Sequence, residues 1–92
     1  MKIRQLYTFK LGCEEESLTR AAERLSTTQP AISRTISELE ETLGTQLFDR
    51  TSRKIVLNEA GQLFLSKVIP LLELYEDLEK GLPDSDVRYQ LR

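Results

Sequence analysis

Apolar residues at Ile3, Leu6, Phe9 and Cys13 recur at the spacing of one helix face and predict a first helix over about 3–15. The acidic run Glu14-Glu15-Glu16 loosens its end, and Ser17 is placed to cap a short second helix that carries Ala21 and Ala22 and closes on Leu25. After the polar break Ser26-Thr27-Thr28, a third helix runs from Thr28 to Leu43. Ile32, Ile36, Leu39 and Leu43 form its narrow apolar stripe, and Gly44 is the expected left-handed terminator. Two short β-prone runs, 45–50 and 54–57, flank Thr51-Ser52-Arg53 and read as a hairpin. Asn58 then caps a long fourth helix that reaches about Lys80, with Pro70 inside it as an expected kink or bend.

Helices joined by so short a turn cross steeply, and the small Ala21 and Ala22 let their backbones approach. That is the geometry of a helix-turn-helix, which fixes one helix so that the next can enter a DNA major groove. A hairpin directly after the second of the pair is a wing. The expected fold is mainly α: a winged helix-turn-helix of three helices plus a short β-hairpin wing over residues 1–58, then a long linker or dimerisation helix over 59–80. Residues 81–86 are turn-rich, and 87–92 alternate apolar and polar like a strand with no partner. The segment 81–92 therefore reads as a hinge and the start of a C-terminal effector domain.

Within the fourth helix, Phe64, Val68, Leu71, Tyr75 and Leu78 alternate by four and three, a coiled-coil seam flanked by Leu65, Leu72 and Leu74. A small domain does not cover so long an apolar helix alone, so dimerisation through it is the economical expectation. Packing within one chain, or against a further domain, stays open.

Opposite the stripe of the third helix fall Pro30, Ser33, Arg34 and Ser37, with Gln29 in the first turn, and no carboxylate occurs from Ser26 to Ser37. DNA repels carboxylates, whereas a helix N-terminus offers free N–H groups and a positive dipole end to phosphate. Gln can bind adenine through two hydrogen bonds, and Ser and Arg can reach base edges or phosphates. A solvated face of an ordinary core helix would carry similar residues. The tight turn, the small alanines and the acid-free leading half favour DNA. Likewise Arg53 and Lys54 suit a wing tip that reaches phosphate or minor groove, the alternative being a surface turn with solvated charges.

The net charge of −2 opposes nucleic-acid binding until its distribution is considered. Segment 17–37 carries Arg20, Arg24 and Arg34 against Glu23, and segment 50–54 carries Arg50, Arg53 and Lys54 with no acid, whereas 73–86 is acidic. Local field decides docking on phosphate. With one cysteine and no histidine, an intrachain disulfide, a Cys/His zinc site and a histidine-activated nucleophile are excluded within one chain. Cys13 is expected to be a core thiol. No cofactor is expected in these residues. No apolar run suggests a membrane span or a signal peptide, which makes the cytoplasm the default location.

In several ordered blocks the chain resembles the N-terminal DNA-binding domain of LysR-type bacterial transcriptional regulators. These are Arg4-Gln5-Leu6 with Phe9, residues Ser17 to Leu25, Gln29-Pro30-Ala31-Ile32-Ser33-Arg34, Ile36 with Leu39-Glu40, Leu43-Gly44, Leu47-Phe48-Asp49-Arg50 and Leu57-Asn58-Glu59-Ala60-Gly61. Ser26 and Thr27 depart from the family's usual turn, and Asn58 replaces a frequent Thr. The resemblance implies a winged helix-turn-helix, a dimerising linker helix and a C-terminal effector domain that takes a small-molecule inducer. It also implies double-stranded promoter or operator DNA as partner, a homodimer, a tetramer in the full-length protein as a further assembly, and RNA polymerase as a candidate contact. By position, Gln29, Pro30, Ser33 and Arg34 would face the major groove, Arg50, Thr51, Arg53 and Lys54 would serve the wing, and Thr19, Thr28 and Ser37 would contact the backbone.

The competing function class is a winged-helix module that binds protein without DNA. It would favour apolar or acidic residues on the exposed face of the third helix, unlike Gln29, Ser33 and Arg34. An enzyme has little support, since there is no glycine-rich phosphate loop and no paired carboxylates outside solvated helical faces.

Overall fold

Three side-chain caps divide the chain into helices. Ser17 Oγ accepts from the Arg20 N–H at 3.2 Å, Thr28 Oγ1 from the Ala31 N–H at 3.2 Å, and Asn58 Oδ1 from the Gly61 N–H at 2.7 Å. They start the last three of four helices in the computed structural model: α1 (Ile3–Glu15), α2 (Leu18–Arg24), α3 (Gln29–Leu43) and α4 (Glu59–Lys80). The structure describes residues 1–49 and 55–81. At α1 the Lys2 N–H donates to Gln5 Oε1 at 2.9 Å.

Each of the first three helices ends on a left-handed residue. After α1 it is Glu16 (φ 53°), whose N–H donates to Gly12 O at 3.0 Å. After α2 it is Ser26 (φ 55°), with Ser26 N–H on Glu23 O at 3.2 Å and Thr27 N–H on Ala22 O at 2.9 Å. After α3 it is Gly44 (φ 72°), with the same paired closure on Glu41 O and Glu40 O. The α2–α3 turn is therefore tightly closed even though Ser26 occupies a position that glycine fills more cheaply, at a cost of about 1 kcal/mol.

Phe9, Leu39, Leu47 and Leu72 are the largest fully buried side chains. Phe9 is central: its ring lies 5.6 Å from that of Phe48 and 5.1 Å from that of Phe64. Ala21 and Ala22 are buried where α2 crosses its neighbours, as their size demands. Helix α1 packs on all three other helices, α2 also packs on α3, and the backbone of α4 comes close to no helix but α1. At the base of the expected hairpin, Phe48 pairs antiparallel with Leu57, framed by Asp49 N–H to Val56 O at 2.7 Å and Asn58 N–H to Leu47 O at 3.0 Å. No longer strand occurs among the described residues, and the hairpin's tip lies outside them.

The seam expected on α4 divides. Val68 is only 2% exposed in the domain's own core, Phe64 is half-buried against Phe9, and Tyr75 is half-buried, edge-on to Tyr7 at 6.5 Å. Leu71 and Leu78 are exposed, and with Leu74 at 70% they form a second apolar face. Within the chain the expected seam thus splits into two adjoining faces about a quarter of a turn apart, because α1 needs a cover and takes Phe64, Val68 and Leu72 for it. Helix α4 runs through Pro70 without interruption. Pro70 is exposed, so the carbonyl four residues back, which it cannot bond, is Ser66's on the solvent side.

Candidate nucleic-acid interface

Ile32, Ile36 and Leu39 anchor α3 in the core, which turns Pro30, Arg34 and Ser37 outward. Gln29 is exposed in the first turn and Ser33 is half-buried beside it. The Gln29 amide Nε2 donates to Ser33 Oγ at 2.8 Å. That bond leaves the Gln29 Oε1 acceptor and the Ser33 hydroxyl proton directed to other partners. Arg34 has no hydrogen-bond or ion-pair partner among the described residues, so its five donors face solvent. Thr28 uses its oxygen as the cap and keeps a proton to donate, and Thr19 is exposed on α2.

The polar face thus brings Thr28, Gln29, Pro30, Ser33, Arg34 and Ser37 together on one helix. Arg50, Thr51, Arg53 and Lys54 lie outside the described residues. Of the three arginines that made segment 17–37 basic, Arg24 is committed elsewhere: its Nη1 lies 2.8 Å from Glu15 Oε2 and 3.9 Å from Glu14 Oε1, at the end of α1. Arg20 and Arg34 remain without such partners among the described residues.

Glu40 is one of the acids in the later turns of α3, yet it is only 8% exposed, and its Oε2 accepts from the buried Leu47 N–H at 2.8 Å. Its neighbour Leu39 carries the stripe, and the chain folding back at Leu47 covers the flank beside it. A carboxylate one position off an apolar stripe, seven residues before the next buried leucine, is the only sequence signal for this. Two further contacts span α1 and other elements. Gln5 Nε2 donates to Glu38 Oε1 at 3.2 Å, and the Tyr7 hydroxyl donates to Glu76 Oε2 at 2.9 Å. Burial and then this bond push the Tyr7 hydroxyl up to about 12. Cys13 is half-buried against the core, and burial, then Glu14, push its thiol up to about 12, so it is protonated and unreactive near neutrality. Among the described residues there is no cluster of groups able to hold a metal ion and no helix long and apolar enough to cross a membrane.

Residues 3–62 match the family of bacterial regulatory helix-turn-helix proteins, lysR family. The chain belongs to that family. Among curated LysR-type relatives, it is 41% identical over 83 residues to the HTH-type transcriptional regulator PgrR of Escherichia coli K12, covering 90% of this chain and 28% of PgrR. It is 43% identical over 77 residues to the transcriptional regulator YybE of Bacillus subtilis 168, covering 84% of this chain and 26% of YybE. The chain thus spans little more than a quarter of either. Its fold superposes on the BenM DNA-binding domain in complex with the catB site 1 DNA at a TM-score of 0.82, 40% identity, 85% of this chain and 84% of that one. The CbnR DNA-binding domain in its DNA complex gives a TM-score of 0.81 at 35% identity, with all of both chains covered. The winged helix-turn-helix expected from the sequence is the fold of these LysR-family domains.

Proposed function

We propose that this chain is the DNA-binding part of a LysR-type transcriptional regulator, and that it reads an inverted-repeat operator as a dimer. The observation that carries the reading is the leading half of α3. It is an exposed, acid-free face with an unpaired arginine, set rigidly on a buried stripe. Gln29, Pro30, Ser33 and Arg34 face the base edges, and Thr19, Thr28 and Ser37 contact the phosphodiester backbone. Arg50, Thr51, Arg53 and Lys54 serve the wing by their sequence position. The likeness to two domains solved on DNA supports this reading.

Dimerisation uses the outer face of α4, where Leu71, Leu74 and Leu78 with Ile3 line an open apolar groove of about 680 Å³. Residues 1–58 form the reading head, 59–80 the linker helix, and 81–92 lead to an effector domain that takes a small-molecule inducer. The working location is the cytoplasm. RNA polymerase and a tetrameric assembly belong to the full-length regulator.

Titration against duplex DNA at two salt concentrations tests the reading. Specific binding should weaken steeply with salt as counterions return to the phosphates. Absence of binding at low salt would leave the protein-interaction module as the better reading.

A further inference from the structure

Helix α4 has two duties in the dimer reading, and this inference rests on that reading: its inner face holds the domain and its outer face meets the second copy. The orientation of α3 relative to α4 then sets the distance between the two α3 helices and hence the separation of the half-sites they match. Yet the α3 and α4 backbones do not approach each other closely, and each lies against α1. Apolar contacts through α1 resist separation but fix direction weakly.

A polar junction makes the second connection. At the α3 end, Glu40 Oε2 accepts from the Leu47 N–H at 2.8 Å. On the other side of the same residue, the Leu47 carbonyl accepts from the Asn58 N–H at 3.0 Å. The Asn58 side chain donates from Nδ2 to Gln46 O at 2.9 Å and accepts at Oδ1 from the Gly61 N–H at 2.7 Å, in the first turn of α4. Gly61 is pressed against this joint: a Cβ there would stand 2.0 Å from the Leu47 carbonyl oxygen. Direction-specific hydrogen bonds and a backbone approach open only to glycine thus converge on Leu47, which is 1% exposed.

We infer that the Glu40–Leu47–Asn58–Gly61 junction sets the angle between the recognition helix and the dimerising helix, and so sets the half-site spacing that the dimer accepts. Asn58 and Gly61 are positioning residues, remote from the bases. The test uses half-sites recovered from a random duplex pool, arranged as inverted repeats with spacers lengthened and shortened base pair by base pair, together with a duplex bearing one half-site. The unaltered protein prefers one spacer. Asn58→Asp keeps Oδ1 to cap α4 but has no N–H to donate to Gln46 O, so the fold persists while the joint loosens. It should lower the preference for the best spacer by about threefold to thirtyfold, leaving single half-site affinity unchanged. Gly61→Ala wedges the joint and should move the preferred spacer or abolish the preference.

An unchanged spacer preference in Asn58→Asp overturns the inference. So does an equal loss of affinity at every spacer and at the single half-site, which marks a merely structural role. If the unaltered protein binds a single half-site specifically but shows no spacer preference, the dimer reading has failed and the inference with it.

Discussion

Helices α3 and α4 each leave a face uncovered by the other described residues, and the two faces are opposites. The leading half of α3 shows Gln29, Arg34 and Ser37, with no carboxylate before Glu38. The outer face of α4 shows Leu71, Leu74 and Leu78, with Asp77 beside it and the acids Glu73 and Glu79 elsewhere on the same turns. Polar donors without partners keep their hydration until a phosphate or base replaces it, so the α3 face suits an acceptor-rich, anionic surface. Contiguous exposed leucines gain only from apolar cover, and the nearby acids keep DNA away, so the α4 face suits a second copy of itself. In the proposed function, one chain thus separates reading from pairing by the chemistry of two helix surfaces.

Breaking the α4 side should have the largest effect. Leu74→Glu with Leu78→Glu places charges on a face outside the core, so the fold survives while the dimer dissociates. Affinity for an inverted repeat should fall by about 10² to 10⁴-fold as the linked second contact is lost, and sedimentation should show a monomer. A stable dimer in this variant would move the interface elsewhere. Breaking the α3 side is smaller: Arg34→Ala should cost about 1–3 kcal/mol in DNA affinity and relax the preference at one base pair, with assembly untouched. Loss of dimer in that variant would show that the two faces are not separate.

The ground between the faces is probed by Glu40→Ala. The buried Leu47 N–H would lose its acceptor, and stability in urea should fall by about 1–3 kcal/mol. The smallest effects contrast the left-handed positions that bound α3. Ser26→Gly should stabilise by less than about 1 kcal/mol, and Gly44→Ala should destabilise by about 1 kcal/mol. Nothing lies within 4 Å of a Cβ at Gly44, so that cost is conformational alone. A larger loss would point to packing that the geometry does not contain.

The two faces were not equally legible in the sequence. The α3 face could be read directly, because a single stripe of Ile32, Ile36 and Leu39 fixes what points outward, and Ser17, Thr28, Gly44 and Asn58 mark the helix ends by local chemistry alone. The α4 faces could not be separated by periodicity. Phe64, Val68, Leu71, Tyr75 and Leu78 make a continuous three-four pattern, yet α1 claims Phe64 and Val68 and leaves Leu71 and Leu78 outside. Which of two adjoining apolar stripes is covered depends on where α1 lies, which is a tertiary fact. Glu40 escaped for the same reason: its burial comes from Leu47 folding back, not from its own helix. Arg24 kept its charge in the sequence but lost its availability to Glu14 and Glu15.

Selection of bound sequences from a random duplex pool tests most directly that α3 reads and α4 pairs. The recovered sequences should be inverted repeats with one fixed separation, and Arg34→Ala should blur one position in each half. Recovery of isolated, asymmetric sites, or no enrichment over the starting pool, would contradict a dimeric operator reader.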